Sequence, residues 1–244
     1  MKKKRISNKT IALVAAALVL FAGGTFAGTR AVLNIFSPEH FLEFETDSQL
    51  VQIREVHKDG STGTNLLSEL GGKVMPGKVY DEQIRAENIT KDADQYVRII
   101  IRKYWKDNNG KAHSFGDTVN GKTVTTPDPS MIKLTMANTN LWQRNPLEST
   151  VEREVYYYKN IVPVGGVTEA LTKEISVDGS VALKYTVADP DENNVIRYSY
   201  DYDGYQICLE AEAQSVQTHN AQKAVMSLWG MPNVKVSGGT LTVE

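Results

Sequence analysis

The chain has 244 residues, with 27 Lys and Arg against 29 Asp and Glu and a single cysteine. Such a balance, with no cluster of Lys and Arg interleaved with aromatics, argues against nucleic-acid binding, which needs a basic patch. One cysteine excludes an internal disulfide framework, so the fold has to rest on its hydrophobic core.

In chain order, the first element is a basic leader of Lys2, Lys3, Lys4, Arg5 and Lys9, followed by the uncharged apolar stretch Ile11–Ala22 and the small-residue exit "GGTFAGTR". A bilayer-spanning helix needs about 20 apolar residues, and this stretch is shorter. Basic leader, short apolar run and small exit are the layout of a secretory signal peptide. Thr25 and Ala27 suit the minus-three and minus-one positions, so cleavage is expected between Ala27 and Gly28. An uncleaved N-terminal anchor is the alternative. Without the five basic residues of the leader, 22 basic residues face 29 acidic ones in a mature chain of about 217 residues, 28–244, long enough for one sandwich domain. The end "SGGTLTVE" carries neither an apolar tail nor a wall-sorting signal. Contact with a membrane is expected only through the signal before cleavage.

"HFLEFETD" and "SQLVQIREVH" read as short strands and "KDGSTGTN" as a turn. Pro76-Gly77 marks a turn before "KVYDEQIRAEN", a strand with Tyr80, Ile84 and Ala86 on one side. "QYVRIIIRKYW" is the strongest strand: Val97, Ile99 and Ile101 share one face, and Tyr96, Arg98, Arg102 and Tyr104 the other. Residues 110–150 lose this pattern and read as an insertion or long loops, with Asn120-Gly121 able to form a tight hairpin. Pro127 and Pro129 argue against a central strand there. Strand character returns in "EREVYYYKNIV" and in "SVALKYTVA", where Val181, Leu183, Tyr185 and Val187 alternate. "YQICLEAEAQSVQ" is the last strong strand, with Ile207, Leu209, Ala211 and Ala213 inward. "HNAQKAVMSLWG" has Ala221, Ala224, Val225 and Leu228 at helical spacing and Gly230 as a stop.

Many short strands with regular turns predict an all-β chain: a jelly-roll-like antiparallel β-sandwich with one or two short helices, preceded by a signal helix.

Four segments carry a resemblance. "FAGGTFAGTRA" resembles the signal exit of the TasA and camelysin family of secreted Gram-positive proteins. "VMPGKVYDEQIRAENITKDADQYVRIIIRKYW" is similar to that family's Pro-Gly turn, strand, polar turn and long apolar strand. "VYYYKNIVPVGGVTEAL" and "YQICLEAEAQSVQTHNAQKAVMSLWG" are similar to its tyrosine-rich strand and its terminal strand. The resemblance implies a dedicated signal peptidase as an export partner, an extracellular or cell-surface location, and a role in biofilm-matrix fibres. It also implies that an N-terminal segment freed by cleavage joins a neighbouring or related subunit as a strand. Here 28–44 contains "AVLNIF" and "HFLEF", two apolar pieces suited to strand addition or to an ordinary first strand of the same domain.

Camelysin has been treated as a metallopeptidase, so metal ligands matter. His40, His57, His113 and His219 are isolated in sequence, with no His-Glu-x-x-His arrangement. No Gly-x-Ser-x-Gly elbow occurs, and Cys208 sits between apolar residues without a nearby base. Asp189, Asp191 and Glu192 in one turn and Asp201 and Asp203 in the next are weak calcium candidates, without the full twelve-residue ligand loop. "RKYW" and "VYYYK" offer tyrosines for an interface or a carbohydrate stripe. The expectation is a structural surface protein with no cofactor and no catalytic residues. The rivals are a camelysin-like metallopeptidase and a monomeric carbohydrate or adhesion module.

Overall fold

The computed structural model of the protein describes residues 27–28, 51–56, 61–63, 74–107, 109–112, 115–116, 118–189 and 196–244. The signal segment 1–26 and the expected strand at 40–47 therefore lie outside the described residues, apart from Ala27 and Gly28 at the expected cleavage point.

The described chain is all-β, and its strands pair antiparallel. The strands are β1 (Ala27–Gly28), β2 (Val51–Val56), β3 (Thr62–Gly63), β4 (Val79–Asp81), β5 (Gln83–Asn88) and β6 (Gln95–Lys106). Next come β7 (Thr118–Val119), β8 (Lys122–Thr123), β9 (Ile132–Met136), β10 (Trp142–Arg144), β11 (Arg153–Tyr158) and β12 (Thr172–Val177). The last are β13 (Tyr185–Val187), β14 (Tyr198–Tyr200), β15 (Gln206–Gln217), β16 (Val234–Ser237) and β17 (Thr240–Val243), with the helix α1 (Ala221–Ala224) between β15 and β16.

One sheet has the order β1-β15-β6-β11-β10. Its spine is the pair β6–β15, which runs in unbroken register from Gln95↔Gln217 to Lys106↔Gln206. Opposite it lie β3-β2-β5 and β4-β12-β9. These two pieces are parts of one layer. Only Glu82 separates β4 from β5, and its N–H donates to the Lys173 carbonyl at 3.1 Å. Further along, the Leu171 and Thr168 N–H groups donate to the Ile84 and Ala86 carbonyls, both at 2.8 Å. The β12–β9 register shifts between Thr172 and Glu174, and two buried hydroxyls accept from β5 N–H groups. Thr172 Oγ1 accepts from Ile84 N–H at 3.1 Å, and Thr168 Oγ1 accepts from Ala86 N–H at 3.0 Å. Without these acceptors the two donors would be buried away from water.

Period-two alternation sorts the core. Val97, Ile99 and Ile101 of β6, Tyr156 and Tyr158 of β11, and Leu209, Ala211 and Ala213 of β15 pack with Val51, Ile53, Ile84, Ala86, Ile132, Ile175 and Val177 of the facing layer. These are the inward positions expected for β5, β6 and most of β15. The opposite face of β6, β11 and β15 is also covered. Tyr96, Ile100, Val155, Tyr157 and Val216 form a second core with Ala221, Val225, Trp229, Val234 and Leu241. The cover is α1, a π-helical turn (Val225–Trp229) ended by Gly230 at φ +67°, and the hairpin β16–β17. Gly230 takes the left-handed conformation that glycine adopts without strain, and it terminates the helix as expected. Burying each large apolar side chain under this cap contributes about 1.5–3 kcal/mol.

Three sequence expectations change. Residues 110–150 are not simply loops. Asn120-Gly121 makes the predicted tight turn between β7 and β8, at φ +51° and +76°, but β9 and β10 then contribute one strand to each layer. The alternation in "SVALKYTVA" does not bury one side of a strand: Gly179–Leu183 is a 3-10 turn and β13 is exposed throughout. The alternation of β6 predicted a sheet with one face on a core, but the Tyr96 and Arg98 face is buried as well, by the cap.

Candidate functional site

The residues singled out for chemistry do not converge. His219 is exposed between β15 and α1, while His40, His57 and His113 lie outside the described residues. Asp189, Asp201 and Asp203 are exposed, the last two in a turn, and Asp191 and Glu192 lie outside the described residues. The Asp203 N–H donates to the Tyr200 carbonyl at 3.1 Å, a turn bond, while the Asp201 N–H donates to the Lys184 carbonyl at 3.0 Å, next to the Tyr185↔Tyr200 pair of the β13–β14 ribbon. Among the described residues no three His, Cys, Asp or Glu side chains are grouped to hold a metal ion. Cys208 is a free, half-buried thiol on β15, and burial, the leading effect, pushes its pKa up, away from an activated thiolate.

The tyrosines of "VYYYK" and "RKYW" form no exposed stripe. Tyr156, Tyr157 and Tyr158 are buried, and Tyr104 is half-buried with its hydroxyl donating to Glu210 at 2.7 Å. Trp105 is buried, and its indole N–H donates to the Asp128 carbonyl at 2.9 Å.

Two features of the described residues stand out as surfaces open to a partner. The first is the outer edge of β15. Among the described residues, only Ala27 and Gly28 pair along it, against Ala213 and Glu212. The rest of the ladder described for this twelve-residue strand runs along its β6 side. An edge of that length is a template for a further strand. The second is the ribbon β13–β14, where Tyr185, Tyr198 and Tyr200 are exposed.

Behind the β15 edge sits a buried ionic cluster. Arg98 donates through Nε to Gln214 Oε1 at 2.8 Å, and through NH1 to Glu148 Oε1 and the Tyr157 hydroxyl, also at 2.8 Å. Tyr157 donates to Glu148 Oε2, Asn145 Nδ2 donates to the same oxygen at 2.9 Å, and Asn233 Nδ2 reaches Asn145 Oδ1 at 3.0 Å. The guanidinium lies over the Trp229 ring, 4.9 Å from its centroid. Burial pushes the Tyr157 hydroxyl well above the ordinary tyrosine range, partly offset by the Arg98 charge, so it remains a neutral donor. The cluster ties β6, β11, β15 and the cap together. Its signal in the sequence was an arginine inside the apolar run "YVRIII". A buried arginine needs a carboxylate, but nothing in the sequence named Glu148 as that partner.

No family model, curated protein or solved structure matches this chain.

Proposed function

We propose that this chain is a secreted structural subunit of the TasA and camelysin type, assembling at the cell surface or in a biofilm matrix by strand addition. The observation that carries the reading is the β15 edge: its described partner is Ala27–Gly28, the two residues that flank the expected cleavage point. Cleavage there converts Gly28 into a free N-terminus. The apolar pieces "AVLNIF" and "HFLEF" that follow are then available to lie along the β15 edge of a neighbouring subunit. Main-chain hydrogen bonds would supply affinity and alternate side chains would supply register. Head-to-tail addition of this kind is heterologous and extends into a filament.

The test compares the chain beginning at Gly28 with one lacking 28–44, and with one carrying Leu42→Asp and Phe44→Asp. Sedimentation and electron microscopy read assembly. Filaments from the first and monomers from the other two are expected. Assembly that survives both changes removes strand addition. Chelator-sensitive cleavage of casein by the purified chain would replace the structural reading with a peptidase.

A further inference from the structure

The ribbon β13–β14 is amphipathic, yet its apolar face is uncovered. Tyr185 stands opposite Tyr200 and Val187 opposite Tyr198, while Thr186 and Ser199 occupy the other face. Tyr185 is 47% exposed, Tyr198 58% and Tyr200 52%. All eleven tyrosines of the chain lie in the described residues, and the other eight are buried or half-buried. The three tryptophans are buried as well. A one-electron oxidant working at the surface therefore meets its most accessible aromatic targets in one place. The ring centroids of Tyr185 and Tyr198 are 5.5 Å apart, and those of Tyr185 and Tyr200 are 5.9 Å apart. The rings are inclined by 71° and 63°, an edge-to-face cluster and not a flat platform for a sugar ring.

We infer that Tyr185, with Tyr198 and Tyr200, is an oxidative coupling site at which peroxide, acting through a haem peroxidase, joins Tyr185 to one of its two neighbours as dityrosine. Each phenol gives up one electron and one proton to become a phenoxyl radical. The two radicals form a carbon–carbon bond between their ortho carbons. Each ring then moves its ortho hydrogen to the phenolic oxygen and regains aromaticity. The two hydrogens removed reduce one hydrogen peroxide to two waters, so the product is two hydrogens lighter than the chain. The link staples β13 to β14. Exposed strands of three residues are marginal on their own, and a covalent link supplies what packing does not. Proximity sets the selectivity: groups held this close have an effective concentration on the order of millimolar.

The test treats the dilute full chain, at about 1 μM, with peroxide and a haem peroxidase. Against an effective concentration on the order of millimolar, intrachain product exceeds interchain dimer by roughly a hundredfold or more. Trypsin cuts after Lys184 and Arg197, which places Tyr185 on peptide 185–197 and Tyr198 and Tyr200 on peptide 198–223. The expected product is these two peptides joined, two hydrogens below their summed mass, with dityrosine fluorescence on the monomer band. Tyr185→Phe, a change at an exposed position, lowers the linked pair at least roughly tenfold, and urea-unfolded chain loses the preference. Linkage mapping to Tyr202 or Tyr205, an undiminished yield from Tyr185→Phe, or dimers as the main product would each overturn the assignment.

Discussion

Replacing Arg98 with methionine tests whether the cap is held by the buried charge network or by apolar packing alone. The Arg98–Glu148 pair has a separation of 2.8 Å and side-chain exposures of 8% and 7%. Methionine keeps most of the stem but removes the charge, the bonds to Gln214 and Tyr157, and the contact with the Trp229 ring. Glu148 would then be a buried carboxylate without its counter-ion. Breaking a buried pair in this way costs about 3–5 kcal/mol. For a chain of this size that corresponds to a fall in Tm of roughly 6–20 °C. The Arg54–Glu87 pair, with exposures of 33% and 16%, is the internal control: Arg54→Met is expected to cost about 0–1 kcal/mol. Urea unfolding with Trp229 fluorescence, in a Trp105→Phe and Trp142→Phe background, follows the cap itself. Pairing Arg98→Met with Glu148→Leu should recover much of the loss, because no lone charge is left buried, although Tyr157 and Asn145 then lack their acceptor. A single-variant loss below about 1 kcal/mol, or a double variant equal to the sum of its singles within about 0.5 kcal/mol, refutes the reasoning.

Thr172→Val leaves the Ile84 N–H buried without an acceptor and the Glu82 carbonyl without its donor at 2.6 Å; a loss of about 1–3 kcal/mol is expected in urea unfolding, with Thr172→Ser sparing most of it. A loss in Thr172→Ser with Thr172→Val spared would mean that the methyl group matters and the hydroxyl does not. The protein should also unfold cooperatively in alkali. Burial holds the Tyr156 and Tyr157 hydroxyls protonated well above their ordinary pKa near 10. Their contribution is fully present below that pH and declines above it, as the unfolded chain releases protons the folded chain retains. Phenolate absorbance should therefore show a late step that coincides with loss of near-ultraviolet circular dichroism. Smooth titration of all tyrosines with the fold intact would contradict the burial argument.

Where one face of a strand meets a core, the sequence was sufficient. "QYVRIIIRKYW" and "YQICLEAEAQSVQ" announced β6 and β15 by alternation, and Asn120-Gly121 announced its turn by the two positive φ angles it requires. Where burial comes from a distant segment, the pattern misled. Alternation accounted for one buried face of β6 only, because the cover of the Tyr96, Arg98 and Ile100 face arrives more than a hundred residues later, as α1 and β16–β17. Nothing in the sequence singled out Thr168 and Thr172, because their hydroxyls accept from backbone N–H groups of β5, more than eighty residues away. The exposed tyrosines were visible in "RYSYDYDGY" at period two, but alternation reports two unlike faces and not whether either is buried.

A sheet covered on one face by a second layer and on the other by a helix and hairpin has little left to offer a partner except its edges. For β15 this restriction matters. Its side chains are committed to the two cores and to Arg98 through Gln214, so the strand cannot shift register without dislodging both. Under the proposed strand addition, a rigid β15 would offer backbone groups at fixed spacing, and an incoming strand would order only itself. The same commitment predicts a coupling between the cap and assembly. If the proposed strand addition holds, loosening Arg98 would soften the β15 template and slow filament growth. Filaments that grow from Arg98→Met at the unmodified rate, under conditions where that variant remains folded, would separate the edge from the network behind it.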